Sequence, residues 1–384
     1  MTDKIIFNSL NVRGLGNKKK CKAIFNKLKQ SPSITFLQET HSSPSILIKW
    51  QKEWNGAIFA AHGDSKSKGV AILIHSSISF NLLDIMQDTA GRYITLKVDI
   101  NEETFILTNC YLPTKDHERE QIDVLAKIKE NLNPLSNYTH IIGGDFNVTL
   151  NPSLEKSNYN PSKSESNNIR ADIKGLLISL KLEDIIRNFK PNKNIYTWHS
   201  TSKGISTRLD YWFISEHITN RVSTTNVTPA PFTDHDKIMF SLQMGNTQSQ
   251  GPGFWKLNVS YLHNNEYVDV IKKTILDAYD SVKHYDDKGL IWDFVKMKIR
   301  EASIRYAKAT KRKENEQEKE INSKLKSLQD QLLQNYSIDK LDKIEILKKQ
   351  LENFHTNKTN GSIIRAKLVS IEEGEKKFIL LFVT

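Results

Sequence analysis

Short runs rich in β-branched and aromatic residues alternate with polar, helix-patterned stretches over the first two-thirds of the chain. Ile5–Leu10, Ile34–Glu39, Ala57–Ala61, Val70–His75, Tyr93–Val98, Phe105–Tyr111, His140–Phe146, Leu209–Ile214 and Ile238–Leu242 have the length and composition of strands. Lys18–Leu28, Glu118–Leu132 and Ile169–Leu180 repeat apolar residues at three- and four-residue spacing, which predicts helices with one buried face. These strands suffice for two sheets, and their order with the helices predicts an α/β sandwich with helices outside.

The pattern changes after Gly245–Gly253, where GNTQSQGPG concentrates polar residues, glycine and proline. A linker over residues 246–253 therefore separates a domain of residues 1–245 from an extension of residues 254–384. The β-signal vanishes in the extension. Trp292, Val295, Ile299 and Ala302 are spaced by three and four, as are Ile321, Leu325, Leu328 and Leu332, then Leu341, Ile344, Leu347 and Leu351. Such stripes predict long, partly coiled-coil-like helices packed on one another or on a partner. The basic run Lys308–Lys313 (KATKRK) reads first as a solvated helix face and second as a nucleic-acid contact.

Composition narrows the partners. A formal charge of +11 over 384 residues suits a surface that attracts polyanions such as nucleic acid. Two cysteines, Cys21 and Cys110, are too few for a disulfide framework and lack zinc-site spacing, so a reducing, intracellular setting is expected. The N-terminus lacks a secretory pattern, and the longest apolar run, Phe378–Val383, is far short of the roughly 20 residues that span a bilayer. No membrane partner is expected.

Hard oxygen and amide groups suit magnesium or manganese, and rigid strand ends are where a phosphodiester-cleaving site would hold them. The chain offers such groups repeatedly at predicted strand ends: Asn11, Glu39, Asp145 and Asn147, with Asp234 and His235 just before Ile238–Leu242. Each alone reads as a turn former or helix cap, and Gly143 and Gly144 as turn glycines or as a close approach to ligand. The joint pattern is what points to chemistry.

The blocks SLNVRGL (Ser9–Leu15), FLQETH (Phe36–His41), NCYLP (Asn109–Pro113), GGDFN (Gly143–Asn147), YTW (Tyr196–Trp198), TRLDYWFIS (Thr207–Ser215) and TDHDKI (Thr233–Ile238) carry a resemblance. In this order they resemble the apurinic-endonuclease-like branch of the endonuclease/exonuclease/phosphatase superfamily, and most of all the N-terminal endonuclease of LINE-type non-LTR retrotransposons. The resemblance implies a DNase I-like, four-layered sandwich of two mixed β-sheets flanked by helices, followed by an α-helical C-terminal extension.

It also implies roles. Glu39 with Asn11 and Asp234 would hold Mg2+, or Mn2+ in its place, with Asp145, Asn147 and His235 completing the donor set. Asp145 would position or deprotonate the attacking water, and Asn147 would donate to the phosphoryl oxygen. His235, oriented by Asp210, would contact the scissile phosphate or accept a proton, and Tyr111 would reach the phosphate. Arg208, Thr197 and Thr233 are candidate substrate contacts, while His41 reads as structural. The implied activity is metal-dependent DNA nicking that leaves a 3′-hydroxyl, in or near the nucleus. The alternatives are an abasic-site repair endonuclease, a phosphatase and an inactive nucleic-acid-binding relic. GFWKLN (Gly253–Asn258) and RAKLVSIEEGEKKF (Arg365–Phe378) resemble the run toward a reverse transcriptase, so the chain reads as truncated before that enzyme, with RNA binding or self-association assigned to the extension.

Overall fold

The computed structural model describes residues 4–63, 67–161, 168–200, 204–244, 257–334 and 337–359. They form two compact units: Met1–Gln250 with Lys324–Glu352, and Gly251–Ser323 with Asn353–Thr384. The expected linker at 246–253 and the run Arg365–Phe378 lie outside the described residues.

The first unit contains two six-stranded sheets. One runs β13 (Val222–Pro229), β14 (Asp236–Gln243), β1 (Lys4–Asn11), β2 (Ser33–Gln38), β4 (Val70–His75), β3 (Gly56–Ala61). The other runs β5 (Asn81–Gln87), β6 (Tyr93–Ile100), β7 (Glu103–Tyr111), β8 (Thr139–Asp145), β12 (Asp210–Ser215), β9 (Leu182–Asp184). Each has one parallel pair at its centre, β1 with β2 and β7 with β8, and antiparallel neighbours on either side.

The central strands are buried on both faces because successive side chains enter different cores. In β4, Val70, Ile72 and Ile74 point between the sheets, while Ala71 and Leu73 point outward. In β12, Trp212 and Ile214 face the other sheet and Tyr211 and Phe213 face away from it. The outward faces are covered by helices. α1 (Lys18–Leu28) and α2 (Pro44–Glu53) bring Ile24, Phe25 and Trp50 onto the first sheet. α3 (Glu118–Leu132) and α5 (Asn168–Ser179) bring Leu125, Ile128 and Ile173 onto the second. Two short helices, α4 (Pro152–Glu155) and α6 (Ile185–Phe189), and the two-stranded ribbon β10 (Trp198–His199) with β11 (Ser206–Thr207) complete this part. The result is the expected four-layered sandwich of two mixed sheets between helices.

Asn109 on β7 stitches the sheets together: its amide donates to the Leu37 and Ala71 carbonyls of the opposite sheet and accepts from Gln38. These buried bonds satisfy polar groups that would otherwise destabilise the interface.

The extension is helical: α7 (Asn265–Val282), α8 (Lys288–Gln334) and α9 (338–359). The expected stripes are partly realised, with Val295, Ala302, Leu325, Leu332, Ile344 and Leu351 buried. Trp292 departs from its stripe and is 59% exposed, with the Lys296 ammonium over its ring. Of the basic run, Lys308 and Lys311–Lys313 are exposed along α8, and Arg312 pairs with Glu316 one turn away.

Candidate active site

Strand polarity brings the candidate residues together. The Asn11 amide, ending β1, donates to the Asp145 carboxylate, ending β8, at 2.9 Å. The C-terminal ends of both parallel pairs therefore share one edge of the sandwich, and the antiparallel strands β12 and β14 start from it. Register then aligns three groups across the second sheet: Tyr111 stands opposite Asp145, and Asp145 opposite Asp210.

His235, arriving just before β14, closes the cluster. Its Nδ1 lies 2.9 Å from Asp210 and its Nε2 3.8 Å from Asp145. Burial disfavours the imidazolium, but the carboxylates of Asp210, Asp145 and Asp234 outweigh that and hold its pKa up at about 10. Asp145, 1% exposed, is pushed up to about 7 by burial and by the Asp210 charge, against the opposing pull of His235, Asn11 and the Asn147 N–H. Asp210 is 1% exposed and receives two backbone-level supports, since Thr197 Oγ1 accepts from the Leu209 and Asp210 N–H groups.

The opposite wall holds Glu39 and Asp234. Glu39 accepts from Asn11 at 2.9 Å and hydrogen-bonds the Tyr111 phenol. The phenol's pKa is raised by burial and by the Glu39 and Asp145 charges, so it is a proton donor at neutral pH. Asp234 Oδ2 accepts from Arg13 at 3.2 Å and from the Trp198 indole at 3.1 Å. Glu39 (φ 50°) and Asn147 (φ 51°) both sit in the left-handed region. Asn tolerates it readily; for Glu it is strained backbone of the kind that gathers at functional sites. His41, at φ 50°, stacks over Gly14, where a Cβ would come within 2.8 Å of the ring, and places Nε2 3.8 Å from Glu39.

Asn147 occupies the rim, its N–H donated to Asp145 and its side-chain amide to the Leu112 carbonyl. Gly143 and Gly144 lie within β8 and not in a turn. A Cβ at Gly143 would strike the Trp212 ring at 2.4 Å, and one at Gly144 (φ 141°) the Cys110 carbonyl at 1.9 Å, so both serve close packing beneath the site.

Three expected substrate contacts have partners within the protein. Arg208 is 0% exposed, ion-paired with Glu155 at 3.0 Å and Asp184 at 2.6 Å and stacked over Tyr211, so it braces the core. Thr197, also 0% exposed, spends its hydroxyl on the strand start at Asp210. Thr233 donates to the Asn11 carbonyl and accepts from the His235 N–H, tying the His235 loop to β1. Asn11 also differs from a simple ligand: its NH2 faces the two carboxylates and its oxygen accepts the Arg13 N–H.

Sequence reasoning passed over Arg13, Trp198 and Asn109, although each stands inside a quoted block. It also passed over Glu155, whose carboxylate gathers Arg187, Arg208, Tyr211 and the Asn151 N–H.

The donor set suits a hard divalent cation. Among the described residues Asp145, Asp210 and His235 offer ligand atoms mutually within 4.8 Å, and Asp210 Oδ1 is a buried oxygen without a hydrogen-bond partner. Two buried carboxylates held side by side repel, and a bound cation relieves that repulsion. Glu39 and Asp234 lie outside that group of three.

The two-sheet sandwich thus gathers carboxylates, an amide and a carboxylate-held imidazole at one edge. Residues 9–235 match the Endonuclease/Exonuclease/phosphatase family, and the chain belongs to that family. It is 26% identical over 387 residues to the "Transposon TX1 uncharacterized 149 kDa protein" of Xenopus laevis, an alignment covering 97% of this chain and 28% of that protein. The AP endonuclease LMAP from Leishmania major shares the fold, with a TM-score of 0.54 at 16% identity over 62% of this chain and 88% of that one. An AP endonuclease from Archaeoglobus fulgidus aligns with a TM-score of 0.49 at 19% identity over 62% of this chain and the whole of the other. No helix among the described residues is long and apolar enough to cross a membrane.

Proposed function

We propose that this chain is a Mg2+-dependent endonuclease that nicks DNA, hydrolysing the P–O3′ bond to leave a 3′-hydroxyl and a 5′-phosphate, in the manner implied by a retrotransposon origin. The observation that carries the reading is the convergence of Asp145, Asp210 and His235 from both sheets onto one edge, with Asn11 joining that cluster to Glu39.

Glu39, Asp234 and Asp145, with Asn11 beside them, are the residues that would hold the cation. Bound there, it would neutralise the phosphoryl oxygens and assist loss of the 3′-oxyanion. The chain's own groups do the rest. Asp145 orients the attacking water and accepts its proton, a role favoured by a carboxyl pKa raised toward neutrality. His235, kept protonated by Asp210, presents an imidazolium to the non-bridging phosphate oxygens as charge develops. Asn147 donates to the same phosphoryl group, and the Tyr111 phenol supplies a further donor.

Nicking of supercoiled plasmid by the purified chain tests this. Nicking with Mg2+ that disappears with EDTA and with Asp145→Ala supports the reading. Absence of nicking by folded wild-type protein refutes it. Running a duplex with one abasic site beside the plain duplex separates target nicking from repair: strong preference for the abasic strand overturns the retrotransposon reading and leaves the chemistry intact.

A further inference from the structure

Asp234 and His235 sit on a loop whose conformation is not self-sufficient. Just before them Phe232 adopts φ 68°, in the left-handed region that a bulky side chain avoids. Such a backbone persists only where neighbours impose it. The Lys20 ammonium in α1 donates to the Phe232 carbonyl at 2.9 Å and to the Arg13 carbonyl at 3.1 Å. The Phe232 N–H donates to the Glu352 carboxylate at 3.1 Å, and Lys348 Nζ reaches the Thr233 carbonyl at 3.5 Å. Lys348 and Glu352 lie one helical turn apart on α9, within the segment Lys324–Glu352 that belongs to the same compact unit as the sandwich. Leu332, Leu341, Ile344 and Lys348 of that segment also line a cavity of about 350 Å3 with His199 and Ser206 of the β10–β11 ribbon. A residue 120 positions downstream thus bonds the backbone three positions before His235.

We propose that Glu352 is a positioning residue for the nuclease site: its carboxylate, acting through Phe232, holds the Asp234–His235 loop in its working geometry, so that the extension completes the site and is more than a tether. This rests on the nuclease reading above. A charge-assisted bond to a backbone N–H is among the stronger hydrogen bonds, and small misplacements of catalytic groups cost rate out of proportion to their size.

The test uses the full chain. Glu352→Ala should lower kcat for Mg2+-dependent plasmid nicking by roughly tenfold with KM for DNA unchanged. Glu352→Gln, whose amide oxygen still accepts from Phe232, should restore most of it. Amide hydrogen exchange at residues 230–235 is the second readout and needs no activity: Glu352→Ala should speed it, Glu352→Gln should not. Wild-type kcat and unchanged exchange in Glu352→Ala overturn the proposal, as does a fall in kcat that Gln leaves unrepaired. If wild-type protein does not nick at all, the nuclease reading fails, while the exchange comparison still decides whether Glu352 holds the loop.

Discussion

Asp145 and Asp210 reach the site by a different route from Asp234 and His235. The first two are opposite each other in the β8–β12 ladder, so backbone hydrogen bonds and the cores on either side of the sheet set their separation. The second two come from a loop that meets β10 in a single backbone bridge, His199 N–H to the Asp234 carbonyl and Asp236 N–H to the Thr197 carbonyl, and that is otherwise held by Thr233, Lys20 and Glu352. One half of the site is therefore as rigid as the sandwich, and the other rests on one bridge and a handful of side-chain bonds. Damage to each half should look different: chemistry lost on an intact fold for the ladder residues, and geometry lost gradually for the loop.

The largest effect is expected at Asp145→Asn, which removes the water-orienting carboxylate and relieves the repulsion with Asp210. Nicking should fall by about three to four powers of ten, while thermal melting shows no loss of stability. Arg208→Met leaves Asp184 without its guanidinium and Glu155 with Arg187 alone, and should destabilise by about 3 kcal/mol in urea unfolding, the lower end of the cost of breaking a buried pair. Activity at a permissive temperature should then drop less than stability does. Asp210→Asn keeps the ladder but strips His235 of the charge that raises its pKa. Turnover should drop by about two powers of ten, and the alkaline limb of the pH–rate profile should move to lower pH.

Titration gives a further separation. Asp145 and His235 both have folded pKa values above their free ones, about 7 against 3.8 and about 10 against 6.5. In EDTA the folded state therefore binds more protons than the unfolded one and loses stability as pH rises, through about 4–7 for Asp145 and through about 6.5–10 for His235. Added Mg2+ should remove most of the Asp145 part of the slope in a Tm-against-pH series. The smallest effect is expected at Thr233→Val, which breaks the loop's tie to Asn11 at about 1–2 kcal/mol and should slow nicking several-fold without moving the pH profile.

The ladder half of the site was also the more legible half. Helices Lys18–Leu28 and Glu118–Leu132 have the bounds their apolar spacing predicts, and Val70–His75 is the strand its composition predicts. The strands overlooked are edges: β5 (NLLDIMQ) is exposed along most of its length, and β13 (VSTTNVTP) is largely polar, so neither carries a buried-strand signature. α2 was overlooked as well: Ile46 and Leu47 stand four and three residues before Trp50, but the pattern covers barely one turn and Ile48 among them is exposed. The blocks around Asn11, Glu39, Asp145, Asp210 and His235 indicated which residues converge. They did not reveal which side chains support others, because that depends on partners far away in sequence. Arg208 looks like a DNA contact until Glu155 and Asp184 are found against it, and Glu352 has no local motif.

Asn109 has a mechanical consequence. With its amide bonded to β2 and β4 from β7, the two sheets cannot slide past each other without breaking buried hydrogen bonds. Shear is thereby closed to this sandwich as a way of adapting to a duplex. On the proposed reading as a DNA-nicking enzyme, fitting would fall to the loops along the site's edge and the remaining distortion to the DNA, so that the stiffness of the target sequence would become part of what is recognised.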